Sequence, residues 1–271
     1  MEYDNRPIGV FDSGVGGLTI AYELLKVLPC EKFIYFGDSL RAPYGNLEPK
    51  KLFQYACEII DYFITLNVKA IVVACNTICA TVLEDIEDKY KASGILFQGL
   101  IEISAKEAVE SESKNIGILA TSNTIKYGVH KKFIKELDKN INVVEKAAPI
   151  FVPLTENGLH NTRMAYEGAK FYLKDMIDAK VDTIILACTH FPIMIKALQE
   201  AADEYYPIKF INPAKRVAIE LDKRLGDNDM KGNFLGKIEF KASGYEENFK
   251  FVLNIIFEVG YDVEIINLAK E

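Results

Sequence analysis

The clearest pattern along the chain is an apolar, partly β-branched run that ends in Ala-Cys and occurs twice. One copy covers residues 71–77 and reads IVVACNT; the other covers residues 184–190 and reads IILACTH. Continuous apolar runs of this length, set between helical patterns, are typical of buried parallel strands. Open α/β sheets bind ligands at the carboxyl ends of their strands. We therefore predict that Cys75 and Cys188 lie at one pocket.

Apolar runs alternate with amphipathic segments along the rest of the chain, which predicts an α/β protein. Further strands are predicted at 8–11, 33–36, 95–101, 142–144, 208–211, 237–241 and 262–266. Helices are predicted at 18–28, 52–66, 77–90, 104–110, 126–138, 164–179 and 246–258, with others opening at 191–192 and after 213. Residues 116–122 also resemble residues 8–14, at a spacing close to that of the two Cys runs. This predicts two similar halves.

Length, charge and cysteine content argue against several classes of protein. The chain has 271 residues, enough for two α/β domains, and a net charge of −7 that argues against a general nucleic-acid surface. No apolar run approaches the roughly 20 residues that span a bilayer. Five cysteines without disulfide-scaffold spacing, and a start without an evident secretory signal, favour a reducing compartment. We expect a cytoplasmic protein that binds neither nucleic acid nor membrane.

A glycine-rich turn, residues 12–17 (DSGVGG), follows the first predicted strand. Its spacing is not G-x-G-x-x-G, no Gly-Lys-Ser/Thr follows, and Asp12 would repel a phosphate. A carboxylate at this position suits an ammonium group or a proton-transfer role. The alternative is that Asp12 or Ser13 caps the following helix.

Two other segments follow strand ends. The irregular loop 37–46 lies where ligand contacts are common, although its Pro, Gly and Asn also serve turn formation. Cys75 precedes a predicted helix, and a helix N-terminus is expected to lower the pKa of a thiol.

Four chemistries fit two cysteines at strand ends. Cys75-x-x-x-Cys79 and Cys188-x-His190 could hold zinc, and a pair of cysteines could form a redox disulfide, but neither spacing is C-x-x-C. Cys188 could act as a nucleophile with His190, although contact at this spacing requires a turn. Two thiols could also exchange protons on opposite faces of a stereocentre. Inert core cysteines are the remaining alternative.

Several stretches together carry a family resemblance. They read FDSGVGGL (11–18), YFGD (35–38), PYG (43–45), ACNT (74–77), AT (120–121) with Thr124, VPL (152–154) and CTHFP (188–192). With these stretches in family order across most of its length, the chain resembles the glutamate racemases of the cofactor-independent aspartate/glutamate racemase superfamily.

The resemblance implies interconversion of L- and D-glutamate without pyridoxal phosphate, metal or other cofactor. Cys75 and Cys188 would be the two acid/base residues, assisted by Asp12 and His190, with Glu156 a further candidate. The residues surrounding the amino acid would be Asp12, Ser13, Tyr44, Gly45, Asn76, Thr77, Thr121, Thr189 and His190. Racemisation of aspartate or another acidic amino acid, and a silent amino-acid-binding protein, are the alternatives.

The resemblance also implies a domain architecture, an oligomeric state and a biosynthetic role. We expect two similar three-layer α/β domains with mostly parallel sheets and the active site in the cleft between them. The first would comprise residues 1–97 and 212–271, the second residues 98–211. A homodimer that supplies D-glutamate for peptidoglycan follows from the same resemblance. Departures from the family pattern at 103–104, 126–130 and 212–214 concern the pocket edges, regulation and the dimer surface.

Overall fold

The computed structural model describes residues 3–233, 235–258 and 260–268, which form ten β-strands and twelve α-helices. The strands are β1 Ile8–Asp12, β2 Lys32–Gly37, β3 Ala70–Val73, β4 Leu96–Gln98, β5 Asn115–Ala120, β6 Asn142–Ala147, β7 Thr183–Ala187, β8 Lys209–Ile211, β9 Lys237–Ala242 and β10 Val263–Ile265. The helices are α1 Leu18–Val27, α2 Pro49–Thr65, α3 Asn76–Thr81, α4 Leu83–Tyr90, α5 Ile101–Glu110, α6 Ser122–Tyr127, α7 Val129–Leu137, α8 Phe151–Glu156, α9 Arg163–Asp178, α10 Ile195–Asp203, α11 Ala214–Asp227 and α12 Glu246–Phe257.

The strands form two parallel sheets. One has six strands in the order β10-β9-β2-β1-β3-β4, and the other has four in the order β6-β5-β7-β8. Every neighbouring pair is parallel. This confirms the predicted α/β class with parallel sheets. The six-stranded sheet uses strands from residues 8–98 and 237–265, and the four-stranded sheet uses strands from 115–211. The domain boundaries at 97/98 and 211/212 stay a prediction.

The two sheets repeat one arrangement. The order β2-β1-β3-β4 in the first matches β6-β5-β7-β8 in the second, so β1 corresponds to β5 and β3 to β7. The strands β1, β3 and β7 are fully buried, as apolar runs without alternation require. Each of the two Ala-Cys runs therefore ends on a central strand of its own sheet. The similarity between residues 8–14 and 116–122 has the same basis.

Three predicted elements differ from the structure. The helix expected over 77–90 is interrupted at Val82, which separates α3 from α4. The helix expected over 126–138 begins earlier and breaks at Gly128, whose φ of +61° lies in the left-handed region that glycine adopts easily.

The strand expected over 95–101 ends at Gln98. The apolar residues that follow form the buried face of α5, because a short apolar run does not separate a strand from a buried helix. The helix α8 was not predicted.

Within the described residues no helix has the length and apolar character needed to cross a membrane.

Candidate active site

A cavity of about 220 Å³ lies where the carboxyl ends of the two sheets meet. All twelve residues singled out in the sequence line it. They come from strand ends of both sheets and from the segments that follow the strands, which is where parallel α/β sheets place ligand sites. The cavity wall also includes residues that the sequence did not single out as site residues: Ala42, Pro43, Asn46, Ser122, Pro149, Val152 and Pro153. Of these, Pro43, Val152 and Pro153 lie in the stretches that carried the family resemblance.

Cys75 is the second residue after the end of β3 and occupies the N-cap position of α3. Its side chain is almost completely buried. Burial and the nearby Asp12 carboxylate raise the pKa of the Cys75 thiol well above its usual value, although the backbone N–H of Ile78 acts in the opposite direction. The expectation that a helix N-terminus lowers this pKa is therefore wrong, because desolvation of the thiolate outweighs the helix. Cys75 is a protonated thiol at neutral pH.

Asp12 ends β1 and lies beside Cys75. Its Oδ2 atom accepts a hydrogen bond from the backbone N–H of Gly17 at 2.8 Å and from the hydroxyl of Thr189 at 3.4 Å. Burial raises the pKa of Asp12, and the charge of His190 partly counteracts this. The carboxylate thus supports the turn before α1 and also faces the cavity. The N-cap of α1 is Gly17 and no side chain caps this helix, so the alternative that Asp12 or Ser13 is the helix cap is wrong.

Cys188, His190 and Glu156 form a second group of contacting side chains in the cavity lining. The backbone N–H of Phe191 donates to the carbonyl of Cys188 at 3.0 Å, and this turn places Cys188 Sγ 3.9 Å from His190 Nδ1. The other ring nitrogen, Nε2, lies 3.0 Å from Glu156 Oε1. Burial lowers the pKa of His190, but the contacts with Cys188 and Glu156 more than offset it and raise that pKa to about 10. His190 is therefore an imidazolium beside Cys188.

The two halves pack closely where α1 meets the loop after β7. An ideal Cβ atom at Gly16 would lie 2.4 Å from Thr189 Oγ1 and 2.5 Å from His190 Nδ1. Thr19 donates from its hydroxyl to the carbonyl of Thr189 at 3.3 Å. Gly16 in the glycine-rich turn thus allows the close approach of the two halves.

A second contact between the halves closes the other side of the cavity. The hydroxyl oxygens of Thr77 and Thr121 lie 3.1 Å apart, and those of Thr121 and Thr124 lie 3.0 Å apart. The side-chain amide of Asn123 donates to the carbonyl of Leu47 at 2.9 Å. Side chains that follow the carboxyl ends of β3 in one sheet and β5 in the other therefore meet directly.

The polar groups of the cavity are mostly neutral. Asn76 is buried, and its Oδ1 atom has no hydrogen-bond partner among the described residues. Tyr44 lines the cavity, and its hydroxyl donates to Asp38, which does not line it. Among the described residues that line the cavity there is no lysine or arginine. An anionic ligand would rely on hydroxyl, amide and backbone donors and on His190.

Comparison with known proteins shows which family the chain belongs to. Residues 48–220 match the model of the Asp/Glu/Hydantoin racemase family. The chain belongs to this family. The predicted enzyme class, an amino-acid racemase and hence an isomerase, is confirmed.

The relatives extend the match over almost the whole chain. A glutamate racemase of Thermoanaerobacter pseudethanolicus is 41% identical over 247 residues, covering 91% of both chains. The crystal structure of a Francisella tularensis glutamate racemase in complex with D-glutamate superposes with a TM-score of 0.89 at 31% identity, covering 98% of each chain. A glutamate racemase isoform from Bacillus anthracis superposes with a TM-score of 0.90 at 30% identity, covering 97% of this chain and 98% of the other.

Proposed function

We propose that this chain interconverts L- and D-glutamate by proton transfer at Cα, with Cys75 and Cys188 as the two acid/base groups. The observation that carries the proposal is that two buried thiols, at corresponding strand ends of two similar sheets, line one cavity. Inversion of a stereocentre requires a base on one face and an acid on the other, and this pair supplies both. The glutamate racemases that the chain resembles support glutamate as the substrate.

The two thiols have different neighbours. Burial and Asp12 raise the pKa of Cys75, whereas Cys188 lies beside the imidazolium of His190. The enantiomer whose Cα–H bond faces Cys188 reacts when Cys188 is a thiolate and Cys75 a thiol. Cys188 takes that proton, the electron pair of the broken bond stays on Cα, and Cys75 delivers its proton to the opposite face.

After one turnover Cys75 is a thiolate and Cys188 a thiol, which is the state that accepts the other enantiomer. Asp12 is next to Cys75, and its raised pKa suits a carboxyl group that exchanges protons with a thiol. His190 serves Cys188 in the same way. Each thiol thus has its own titratable neighbour, a carboxylate on one side and an imidazole on the other.

Substrate binding follows from the donors around the cavity. Ser13, Asn76, Thr77, Thr121 and Thr189 provide hydroxyl and amide groups for two carboxylates, and Asp12 provides a partner for the ammonium group. A cavity of about 220 Å³ is smaller than the ~300–1,000 Å³ of pockets for drug-sized ligands, which suits a free amino acid.

The proposed chemistry uses neither pyridoxal phosphate nor a metal. The residues described around the cavity offer no lysine for a Schiff base, so the acidity of Cα must come from the hydrogen bonds to the α-carboxylate. The family resemblance extends the proposal to a cytoplasmic homodimer that supplies D-glutamate for peptidoglycan.

Incubation with L-glutamate in deuterium oxide tests the proposal. With two bases, the D-glutamate formed at low conversion carries deuterium at Cα, while recovered L-glutamate still carries mostly hydrogen. A single base that returned the same proton would leave hydrogen in the product. Binding without exchange would favour the silent amino-acid-binding protein, and activity on aspartate alone would favour the related racemase.

Variants of the two thiols test the assignment of residues. Cys75→Ala and Cys188→Ala should each lower kcat by at least about 100-fold, because each removes one positioned acid/base group. Cys57→Ala is the matched control, since Cys57 is also buried but lies in α2 away from the cavity. Racemisation at the parental rate in either of the first two variants would refute the two-thiol mechanism.

A further inference from the structure

One wall of the cavity is a segment without regular sheet or α-helical structure that follows β2. Residues 42–46 line the cavity, whereas Asp38 and Arg41, which precede them, do not. Asp38 is completely buried, and 12% of the Arg41 side chain is exposed. Removing a pair of charged side chains from water costs free energy. A largely buried pair next to the cavity wall therefore suggests a specific role.

Arg41 connects this wall to α2. Its Nε donates to Asp38 Oδ2 at 2.7 Å, and one terminal nitrogen forms an ion pair with Glu58. Its guanidinium also lies over the ring of Tyr55, 4.0 Å from the centroid. Glu58 and Tyr55 both belong to α2. A planar guanidinium with several fixed donors can make all three contacts at once, which an ammonium cannot.

Asp38 connects Arg41 to Tyr44, which is part of the cavity wall. The same Oδ2 atom that accepts from Arg41 also accepts from the hydroxyl of Tyr44. Tyr44 is almost fully buried, and its ring centroid lies 5.9 Å from that of Tyr55. The position of Tyr44 and of the neighbouring Gly45 in the wall therefore depends on Asp38, and the position of Asp38 depends on Arg41.

The far end of the segment is held by the other half of the protein. An ideal Cβ atom at Gly45 would lie 3.2 Å from Thr121 Cβ, and the carbonyl of Leu47 accepts from Asn123. The segment is thus fixed at both ends, with Arg41 as its anchor on the six-stranded half. Arg41 also neutralises a buried carboxylate directly behind a site that must bind an acidic amino acid.

We propose that Arg41 is a positioning residue for substrate binding: through Asp38 and Tyr44 it holds the wall formed by residues 42–46 and offsets the charge of Asp38. The substrate named here rests on the proposed function above. Loss of Arg41 loosens the wall and leaves Asp38 to repel the carboxylates of the substrate. Both effects weaken ground-state binding more than proton transfer between the thiols.

The test compares Arg41→Lys and Arg41→Ala with the unmodified protein. We expect Arg41→Lys to raise the KM for L- and D-glutamate about tenfold, which corresponds to losing one charge-assisted hydrogen bond, while kcat changes less than about threefold. Since the enantiomers have equal free energies, kcat/KM must fall equally in both directions, which is an internal check. Guanidinium chloride below denaturing concentrations should partly restore the KM of Arg41→Ala. Arg163→Ala is the control, because Arg163 is highly exposed and only pairs with Glu167.

Hydrogen exchange provides a second readout that does not depend on turnover. Backbone amides of residues 38–47 should exchange faster in both Arg41 variants than in the unmodified protein or in Arg163→Ala. An unchanged KM with unchanged exchange, or an Arg41→Ala variant that guanidinium does not rescue, would overturn the proposal. If the unmodified protein did not racemise glutamate, the proposed function would fail, and exchange at 38–47 would still decide the role of Arg41. If Arg41→Ala does not fold, Arg41→Lys carries the test.

Discussion

His190 Nε2 lies 3.0 Å from Glu156 Oε1, so a carboxylate on α8 supports an imidazole in the loop after β7. The imidazole is buried, whereas about a quarter of the Glu156 side chain is exposed. This pair keeps His190 protonated next to Cys188. In the proposed mechanism Glu156 would act on Cys188 through His190, which contacts both residues.

Replacement of Glu156 should shift the pH dependence of turnover. The pKa of His190 is raised to about 10 by Cys188 and Glu156 against the effect of burial, so His190 stays protonated up to that pH. Glu156→Gln removes the negative charge, which lowers the pKa of His190 by about one unit or more. The basic limb of kcat/KM, followed by circular dichroism, should move to lower pH by that amount. Glu167→Gln, an exposed substitution, serves as the control. An unmoved basic limb would show that Glu156 does not tune His190.

Gly16→Ala should disable the site while leaving most of the fold intact. The new Cβ would lie 2.4 Å from Thr189 Oγ1 and 2.5 Å from His190 Nδ1, so the loop that follows β7 must shift. A displacement of about 1 Å at a catalytic group can cost about 100-fold in rate, and we expect a loss of that size in kcat. Gly260→Ala is the matched control, because an ideal Cβ there meets no atom within 4 Å. Equal activity of the two variants would argue against close packing at Gly16.

Much of this arrangement follows from local sequence pattern. Buried parallel strands require continuous apolar runs, so the runs before Cys75 and Cys188 indicated both the strands and the sheet edge where the thiols lie. The polar residues directly after each run, 76–77 and 189–190, also line the cavity, whereas Tyr44, Gly45, Thr121 and Glu156 were expected only from the family resemblance. Parallel topology brings strand ends to one edge, and this makes residues distant in sequence predictable as neighbours.

Other features depend on three-dimensional packing and leave no local signal. The pKa of Cys75 is raised because burial and Asp12 outweigh the helix that follows, and burial cannot be read from a helix cap. The contact of Thr77 with Thr121 depends on how the two sheets face each other. In the sequence, Arg41 was only one residue of a loop that could form turns. Its role was not predictable because its partners Glu58 and Tyr55 belong to the next helix.

His130 should make the protein sensitive to acid. It is fully buried in α7, neither ring nitrogen has a partner among the described residues, and burial lowers its pKa to about 3. An unfolded histidine titrates near 6.5, so the unfolded state binds the proton first. This contribution to stability is complete above pH 6.5 and is lost as the pH falls from 6.5 towards 3.

The His130→Leu variant should lack that loss. Between pH 7 and pH 5 the His130 contribution falls by about 2 kcal/mol in the unmodified protein. The free energy of unfolding, measured with urea at both pH values, should therefore decrease less in His130→Leu by about that amount. The difference between the two proteins isolates His130 from the other titrating groups. An equal decrease in both would mean that His130 titrates normally in the folded state.

The buried ion pair of Lys69 and Glu31 should be important for stability but not for turnover. Lys69 precedes β3 and donates from its Nζ to Glu31 Oε2 and to the carbonyl of Asp4, both at 2.6 Å, while Glu31 Oε1 accepts from the backbone N–H of Gly232 at 2.7 Å. Lys69→Met leaves Glu31 buried without its cation, which typically costs about 3–5 kcal/mol. The double variant Lys69→Met/Glu31→Gln should recover part of this loss in urea unfolding, since no buried charge is left unpaired. Both variants should retain the parental kcat where they are folded, because the pair lies at the opposite end of β3 from Cys75. A double variant no more stable than the single one would refute the role of the unpaired carboxylate.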